Sequence, residues 1–446
     1  MAKHEKFRFK SADELRAKSR ELGIELPWSD SVDLLLQPAV IQGIRVPNRL
    51  TVQPMEGFDS DENGMPGELA FRRYGRYAAG GSGMIWFEAA SVLADGRSNP
   101  HQLMITDETL DQFKKLTQHI RNIAAEKYGP DHRPFLVLQL THSGRYSKPG
   151  GDFQAKIFSD NPILGVPHTR QPIPDTRHPI PIFYSDSDID AVKAAYIHGV
   201  ELAELAGFDA VDVKACHGYL LHEMLYAFDR SDSRYGGSFE NRTSFLREVL
   251  NTPSKIIKAV RLSGFDLIPY PNGFGMKNDG SDVIDPLEVK KLISEFAPIV
   301  PLWNITAGVP RLAAHVGRPY DRGAFNAPPP DEHPLIGIER LIRITGELQR
   351  AFPGLSFVGT GYSWLRQYFP NVGAGILEKK MATFIGLGRS SFAYPDAPLD
   401  LMNHGKLDPK KNCITCSKCT EFMRLNVPAG CGVRDVQYKA GGQNGR

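Results

Sequence analysis

The sequence has no excess of charge of either sign and no long apolar run. Its 53 Lys and Arg residues are balanced by 51 Asp and Glu residues, for a formal net charge of +2. This even mixture predicts no nucleic-acid partner. No apolar stretch is long enough to span a bilayer. Residues 1–6 are rich in charge and lack the apolar core of a signal peptide, so we expect a cytoplasmic protein with no membrane partner.

Cysteine is also scarce, and its distribution is uneven. Of five cysteines, four lie near the C-terminus, at Cys413, Cys416, Cys419 and Cys431. A disulfide framework is unusual in a cytosolic chain of this size, so a metal site is the better interpretation. The CxxCxxC spacing with a distant fourth cysteine suits one [4Fe–4S] cluster. A zinc site with four cysteine ligands and thiols without a metal are the alternatives. Cys216 is expected to be a small, buried apolar residue.

Short runs rich in β-branched or aromatic residues alternate with helical patterns along the chain. This order predicts an α/β fold, a (βα)8 TIM barrel with a small C-terminal Cys-rich appendage; an open doubly wound sheet is the alternative. The helical patterns are clearest at 107–126, 187–206, 239–262, 286–296 and 336–352. The predicted strands are 50–54, 84–89, 135–140, 210–215, 265–270, 302–307, 355–359 and 383–387.

The spacing of these elements also predicts the domain organisation. Residues 1–37 form an N-terminal extension with a helix over 12–22, residues 38–395 form the barrel, and residues 396–446 form the Cys-rich tail. Two connections, 141–186 and 308–334, are much longer than a typical loop. Both leave the carboxyl ends of strands, so we expect them to overhang the active site; disordered surface loops are the alternative.

Lys214, His217 and Tyr219 are the strongest catalytic candidates. They lie where the predicted strand 210–215 ends and a loop begins, and in parallel α/β folds chemistry occurs at the carboxyl ends of strands. All three side chains can donate hydrogen bonds, and His and Tyr can exchange protons. Their convergence on one pocket is therefore a prediction of the sequence.

Two motifs carry a family resemblance. The string Ser231-Asp232-Ser233-Arg234-Tyr235-Gly236-Gly237-Ser238-Phe239-Glu240-Asn241-Arg242, together with His217-Gly218-Tyr219-Leu220, resembles the Old Yellow Enzyme family of flavin-dependent oxidoreductases. The resemblance extends over about residues 38–395. The cysteine-rich tail resembles that of iron–sulfur members, such as trimethylamine dehydrogenase and 2,4-dienoyl-CoA reductase. FMN is the flavin that the resemblance implies.

The resemblance also implies a set of flavin-binding residues. The flavin edge is expected to contact the end of the first strand at Pro54, Met55 and Glu56. A small residue, Ala89, faces the reactive edge of the ring, and Gln139 offers a donor and an acceptor to the pyrimidine edge. Arg261 lies near the flavin N1 and O2, where a cation stabilises the anionic reduced ring. Strands six to eight are expected to hold the phosphate after their carboxyl ends, at Gly308, Gly359, Gly361, Gly388 and Arg389.

Lys214 departs from the family pattern, which usually has His there and His or Asn at the position of His217. In the family this pair grips a carbonyl-type acceptor, and Tyr219 resembles the proton donor to the substrate carbon. An ammonium would hold a carboxylate or enolate more strongly, which predicts a substrate that is possibly anionic. A structural ion pair between Lys214 and Glu88 is the alternative.

The implied activity is hydride transfer from reduced FMN to an activated alkene, as in ene-reductases. Electrons would come from NAD(P)H or, through the cluster, from an electron-carrier protein. A flavin-dependent dehydrogenase or demethylase that oxidises an amine or alcohol carbon is the first alternative. A catalytically inactive flavin-binding scaffold is the second. The substrate and the oligomeric state, including a homo-oligomer, stay open.

Overall fold

Eight parallel strands close into a barrel in the order in which they occur along the chain. The computed structural model describes residues 3–165 and 181–439. Two further pairs, a hairpin of β1 with β2 and a small sheet of β6 with β7, lie outside the barrel. The predicted (βα)8 fold is confirmed. In chain order the strands are β1 (Ala39–Ile41), β2 (Ile44–Val46), β3 (Leu50–Val52), β4 (Met84–Ser91), β5 (Phe135–Thr141), β6 (Lys156–Ile157), β7 (Ile182–Phe183), β8 (Ala210–Ala215), β9 (Ile257–Ser263), β10 (Leu302–Thr306), β11 (Ser356–Gly359) and β12 (Phe384–Leu387).

The helices surround this barrel and follow its strands. Those predicted at 107–126, 187–206, 286–296 and 336–352 are present with small shifts of their ends. In chain order the helices are α1 (Ala12–Glu21), α2 (Asp33–Leu36), α3 (Glu68–Ala79), α4 (Leu110–Tyr128), α5 (Asp186–Leu205), α6 (Leu220–Leu225), α7 (Phe239–Arg242), α8 (Ser244–Leu250), α9 (Leu287–Phe296), α10 (Ala314–Gly317), α11 (Pro334–Ala351), α12 (Phe369–Glu378), α13 (Arg389–Ala393), α14 (Ala397–His404), α15 (Lys418–Arg424) and α16 (Val436–Lys439).

The fifth barrel strand differs from the sequence prediction. The predicted helix 239–262 is helical only in its first half, as α7 and α8, and the predicted strand 265–270 is wrong, because α8 ends at Leu250 and β9 begins at Ile257. Pro253 lies between them, and proline neither donates a helical hydrogen bond nor tolerates a helical residue before it. Apolar residues with helical spacing on both sides of Pro253 concealed this break. Arg261 consequently lies on a barrel strand rather than late in a helix.

The barrel is closed at one end and open at the other. Apolar side chains such as Trp86, Val137 and Leu302 fill its amino-terminal end and pack against Ile41 and Val46 of the β1–β2 hairpin. Polar side chains are concentrated at the carboxyl ends of the strands. A ligand can therefore enter only at the carboxyl end, as is usual for this fold.

The N-terminal segment packs on the outside of the barrel. Leu15 of α1 is fully buried. The ring of Phe7 meets that of Trp364 edge to face with 5.3 Å between centroids, and the backbone N–H of Phe7 donates to Asp321 at 3.0 Å. These contacts attach the segment to the loops that follow β10 and β11.

The C-terminal tail lies against the open end of the barrel. Asp435 forms ion pairs with Arg72, at 2.8 Å, and with Arg76, both on α3. The backbone N–H of Ala429 donates to the carbonyl of Gly57 at 2.6 Å, and Asn426 accepts from Lys148 at 2.8 Å. The tail is thus fixed beside the barrel mouth and forms one of its walls.

The two long connections, 141–186 and 308–334, differ in how much of each the structure describes. Part of 141–186 lies outside the described residues, so only its flanks can be placed. The 308–334 connection reaches over the barrel mouth, as expected, because Pro310, Arg311 and Arg318 line the cavity there. Across residues 3–165 and 181–439, no helix combines the length and apolarity needed to cross a membrane.

Candidate functional site

A large cavity occupies the open end of the barrel. It encloses about 1210 Å³ of space free of protein atoms, including its mouth, which is ample for a drug-sized or cofactor-sized ligand. Six of its lining side chains are cationic and one is a carboxylate, Glu56, so the cavity favours anions. The cationic residues are Lys214, Arg261, Arg311, Arg318, Arg389 and Arg424.

The three catalytic candidates all line this cavity, as predicted. The ammonium of Lys214 lies 3.6 Å from the centre of the Tyr219 ring and 3.5 Å from a carboxylate oxygen of Glu56. Burial lowers the pKa of Lys214, and the nearby Glu56 carboxylate offsets part of this shift. Burial, aided by Glu56, raises the pKa of Tyr219 well above its usual range. The Tyr219 hydroxyl therefore keeps its proton at neutral pH.

His217 reaches the same cavity from a strained backbone position. Its φ angle is 66°, in the left-handed region that few residues other than glycine adopt. Its Nε2 lies 3.0 Å from the Thr306 hydroxyl at the end of β10. Burial, together with the positive charges of Arg261 and Lys214, lowers the pKa of His217 well below its usual range. His217 is thus a neutral imidazole that can donate one hydrogen bond.

The ion pair between Lys214 and Glu88, the alternative that the sequence left open, does not form. Glu88 lies on the other side of β4, where its carboxylate pairs with the buried Arg73 and accepts from the backbone N–H of Gly57 at 2.6 Å. Glu56 is the carboxylate beside Lys214. The 3.5 Å separation leaves Glu56 Oε1 without a hydrogen bond, so the lysine can still take a second anionic partner.

Asp212 organises the base of the site, a role that the sequence did not reveal. Its fully buried carboxylate accepts hydrogen bonds from Trp86 Nε1 at 2.8 Å, Gln139 Nε2 at 2.5 Å and the backbone N–H of Arg261 at 2.6 Å. Burial raises its pKa to about 6, against the opposing effect of these hydrogen bonds. Because a carboxylate only accepts, it fixes the Gln139 amide with its nitrogen toward Asp212.

The other expected flavin contacts are placed at different depths. Pro54, Met55 and Glu56 line the cavity. Ala89 and Gln139 are buried partners across β4 and β5 and do not line the cavity. They lie beneath its floor, together with Asp212.

The glycines at the ends of strands six to eight also divide into two groups. Gly361 and Gly388 line the cavity beside Arg389. Gly308 and Gly359 do not, and a Cβ atom there would lie 2.8 Å from Val316 and 2.0 Å from the Tyr362 hydroxyl, respectively. Glycine at 308 and 359 is therefore explained by packing of the chain itself.

Buried cationic atoms in the cavity lack partners. Among the described residues, Nε of Arg261, Nε of Arg318 and Nη1 of Arg389 donate to no hydrogen-bond acceptor, although buried polar groups normally have a partner. Arg389 uses its other nitrogen to donate to the carbonyl of Pro319 at 2.6 Å. A phosphate and an electron-rich heterocycle are the kinds of group that these donors can bind, so the residues present fit FMN.

Arg311 and Arg318 are cavity residues that sequence reasoning missed. Both come from the 308–334 connection, which was expected over the site but offered no motif that singled them out. The one available signal was their cationic character in a loop that leaves a strand's carboxyl end.

The four tail cysteines surround a second, small cavity, which Arg389 also lines. Backbone N–H groups donate to two of the sulfurs, from Thr415 to Cys413 at 3.4 Å and from Arg434 to Cys431 at 3.3 Å. Burial raises the pKa of the Cys413 thiol to about 12, and Arg389 opposes this shift. In residues 3–165 and 181–439, no three His, Cys, Asp or Glu side chains are arranged to share a single metal ion. Cys216 is buried, as expected.

Comparison with known sequences identifies related proteins. The profile of the NADH:flavin oxidoreductase / NADH oxidase family matches residues 34–298. An NADPH dehydrogenase from Geobacillus sp. (strain WCH70) is 30% identical over 266 residues, which is 56% of this chain and 72% of that protein.

Comparison with solved structures identifies the same fold. A 2-naphthoyl-CoA reductase in complex with 2-naphthoyl-CoA matches 93% of this chain with a TM-score of 0.69 and 18% identity. This chain spans 58% of the length of that protein. An old yellow enzyme homologue from Zymomonas mobilis matches 84% of this chain and 94% of its own, with a TM-score of 0.58 and 21% identity.

Replacement of Asp212 by Asn is expected to destabilise the protein by about 2–4 kcal/mol. The amide nitrogen of Asn would face the N–H donors of Trp86 and Gln139, and each buried donor left unpaired costs about 1–3 kcal/mol. Urea unfolding of Asp212→Asn measures the loss. Asp279→Asn, at a charged loop residue, serves as the control and is expected to change the unfolding free energy by less than about 0.5 kcal/mol. Equal stability of the two variants would contradict the role of Asp212.

Proposed function

Because the chain belongs to the NADH:flavin oxidoreductase / NADH oxidase family and is an FMN-dependent oxidoreductase, we propose that it reduces an activated alkene at the barrel mouth. The observation that carries this proposal is the convergence of a protonated Tyr219 with two hydrogen-bond donors, Lys214 and His217, on one cavity. Two donors can hold the activating oxygen of the alkene, and a phenol can deliver a proton to carbon.

The cavity offers each part of FMN a matching group. Arg389 and the backbone at Gly361 and Gly388 are proposed to hold the phosphate. Arg261 is proposed to lie by the pyrimidine edge, with Gln139 beneath it, and residues 54–56 along one ring edge. Gly308, Gly359 and Ala89 would then act by shaping the backbone rather than by touching the ligand. When bound, FMN supplies the hydride in this chemistry.

The proton and the developing charge are handled by the chain itself. Lys214 and His217 donate to the substrate oxygen and stabilise the negative charge that grows there as the alkene is reduced. Tyr219 holds its proton on Oη and gives it to the carbon next to the activating group. The ammonium 3.6 Å from the Tyr219 ring centre lowers the cost of leaving a phenolate behind. The negative charge left on Tyr219 is thereby stabilised until Tyr219 takes up a new proton.

The charge of the cavity restricts the substrate. With six cationic side chains and one carboxylate in its lining, the cavity favours an anionic substrate, such as an unsaturated carboxylate, over a neutral one. It disfavours the protonated amine that an amine dehydrogenase or demethylase would bind. We therefore propose reduction of an anionic or strongly polarised alkene and place amine oxidation second.

We further propose that the tail, residues 396–446, holds a [4Fe–4S] cluster bound by Cys413, Cys416, Cys419 and Cys431. The four sulfurs line one cavity and two accept backbone N–H groups, which is favourable for cluster thiolates. Their arrangement around a cavity, instead of one point, suits a cluster better than a single zinc. Such a centre would give an electron-carrier protein a route to the flavin beside the NAD(P)H route.

Replacement of Tyr219 by Phe tests the proposed activity. The variant lacks the proton donor, so alkene reduction is expected to slow by about 100-fold or more, while reduction of the flavin by NAD(P)H stays within about twofold. Stopped-flow measurement of the two half-reactions separates these effects. If Tyr219→Phe reduces alkenes at the rate of the natural protein, or if the natural protein reduces none, this function is wrong.

Replacement of Lys214 by His tests the preference for anions. We expect affinity for acidic inhibitors to fall by about tenfold or more, and affinity for neutral enones to fall much less. In the natural protein, acid binding is expected to weaken as pH rises through the lowered pKa of Lys214, because the ammonium loses its charge there. Glu56→Gln, which removes the competing carboxylate, is expected to strengthen acid binding. Equal effects on acids and enones would make Lys214 a structural residue.

Iron analysis tests the tail. Protein purified without oxygen is expected to contain about four iron atoms per chain, and Cys416→Ser is expected to lose most of them. Cys216→Ala, at the cysteine outside the tail, is the control and keeps the iron. About one zinc per chain would favour the four-cysteine zinc site. Absence of both metals from anaerobic material would refute a metal centre.

A further inference from the structure

A second cavity opens beside the barrel mouth. We call it the side chamber; it is formed by residues 310–330 of the long connection after β10 and by Ser417 and Arg424 of the tail. It shares Pro310, Arg311 and Arg318 with the main cavity. The two spaces therefore adjoin each other and have these three residues as a common wall.

The side chamber is cationic. Arg311, His315, Arg318 and Arg424 line it, and none of its lining residues within the described chain is Asp or Glu. Carboxylates nearby are engaged elsewhere: Glu421 lies 3.7 Å from Arg322, and Glu332 pairs with Arg340. No carboxylate in the described lining of the chamber neutralises Arg311 or Arg318.

The two arginines shared with the main cavity are held in position. The guanidinium of Arg311 lies 5.0 Å from the ring centre of Phe153 and 5.4 Å from that of Tyr146. Arg318 donates to the Thr420 hydroxyl, and its buried Nε has no partner among the described residues. Burial, with repulsion from Arg389, lowers the pKa of Arg318 to about 10, so it is still charged at neutral pH. Ordered arginines of this kind suit bidentate binding of phosphate.

Much of the remaining lining is apolar. It comes from Leu312, Ala313, Tyr320, Ala327 and Pro328. His315 is half-buried, and burial lowers its pKa, so it acts as a neutral hydrogen-bond donor or acceptor. A lining that combines arginines with an aromatic ring and apolar side chains matches a phosphorylated nucleotide better than a lone carboxylate. Arg389, Gly361 and Gly388 do not line this chamber, so it is distinct from the proposed flavin phosphate site.

We propose that the side chamber binds the phosphate groups of a nucleotide-bearing ligand whose reactive end lies in the main cavity. The identity of that reactive end rests on the proposed function. Two ligands have this chemistry: NADPH as the hydride donor, and a coenzyme A thioester as the alkene substrate. Both carry phosphates at a distance from the reacting atoms.

Equilibrium binding tests the chamber independently of turnover. Calorimetry with NADP⁺ and with coenzyme A measures affinity for the FMN-loaded natural protein and for the double variant Arg311→Gln, His315→Gln. At least one of the two nucleotides is expected to bind, and the double variant is expected to weaken it by about tenfold or more. Arg350→Gln, at an exposed residue near the end of α11 and outside the chamber, is the control and is expected to stay within about twofold. Binding of neither nucleotide, or equal losses in control and double variant, overturns the proposal.

Kinetics with truncated ligands identify the source of the phosphates. 1-Benzyl-1,4-dihydronicotinamide has the reactive ring of NADPH without phosphates, and an N-acetylcysteamine thioester has the acyl end of an enoyl-CoA without the nucleotide. A defect of the double variant with NADPH alone assigns the chamber to the donor, and a defect with enoyl-CoA alone assigns it to the substrate. The truncated ligands lack phosphates, so the double variant should reduce or use them as fast as the natural protein does. If the double variant is as impaired with a truncated ligand as with the full ligand, the proposal is overturned. If the natural protein reduces no alkene yet binds nucleotide through Arg311 and His315, the proposed function fails and the chamber stands.

Discussion

An excess of positive over negative side chains is the constraint on which the active end of the barrel depends. Six cationic side chains share the cavity with one carboxylate, and an excess of buried charge of one sign is costly. Acidic residues exist nearby, but Glu88 pairs with Arg73 and Asp212 accepts from neutral N–H donors. The site is therefore complete only when anionic groups enter it. The excess of positive charge explains why three anionic or electron-rich groups are proposed here. The main cavity would take the flavin phosphate and the substrate oxygen, and the adjoining side chamber would take the phosphates of a nucleotide.

The barrel's register determines where each charge lies. Gln139 pairs with Asp212 across β5 and β8, and Lys214 pairs with Arg261 across β8 and β9. Since side chains alternate along a strand, residues 212 and 214 of β8 face the same way. One strand thus places a carboxylate at the floor and an ammonium one layer above it. The carboxylate orients neighbouring donors, and the ammonium faces the ligand, so their different roles follow from depth within the same barrel.

Much of this arrangement could be predicted from the sequence. The alternating strand and helix patterns predicted the barrel. The His217–Leu220 and Ser231–Arg242 motifs predicted the family. Both predictions are confirmed. The fifth strand was misassigned, because helical spacing continues in the sequence across Pro253 while the backbone cannot. The alternative ion pair of Lys214 with Glu88 does not form, because Glu88 faces Arg73 outside the barrel, whereas Glu56, after the end of β3, lies beside Lys214. Arg311 and Arg318 were missed because a long loop has no period that reveals its inward side chains.

The tail and the barrel share one electrostatic environment. Arg389 lines both the main cavity and the cysteine cavity, and its charge lowers the pKa of Cys419, which burial raises. The same guanidinium therefore favours a phosphate on one side and thiolates on the other. Arg318, which donates to Thr420 beside Cys419, extends this positive field along the interface. If water replaced the tail, the effective dielectric around both arginines would rise and their pull on a phosphate would weaken. The tail thus forms part of the wall of the main cavity and is also the proposed cluster site.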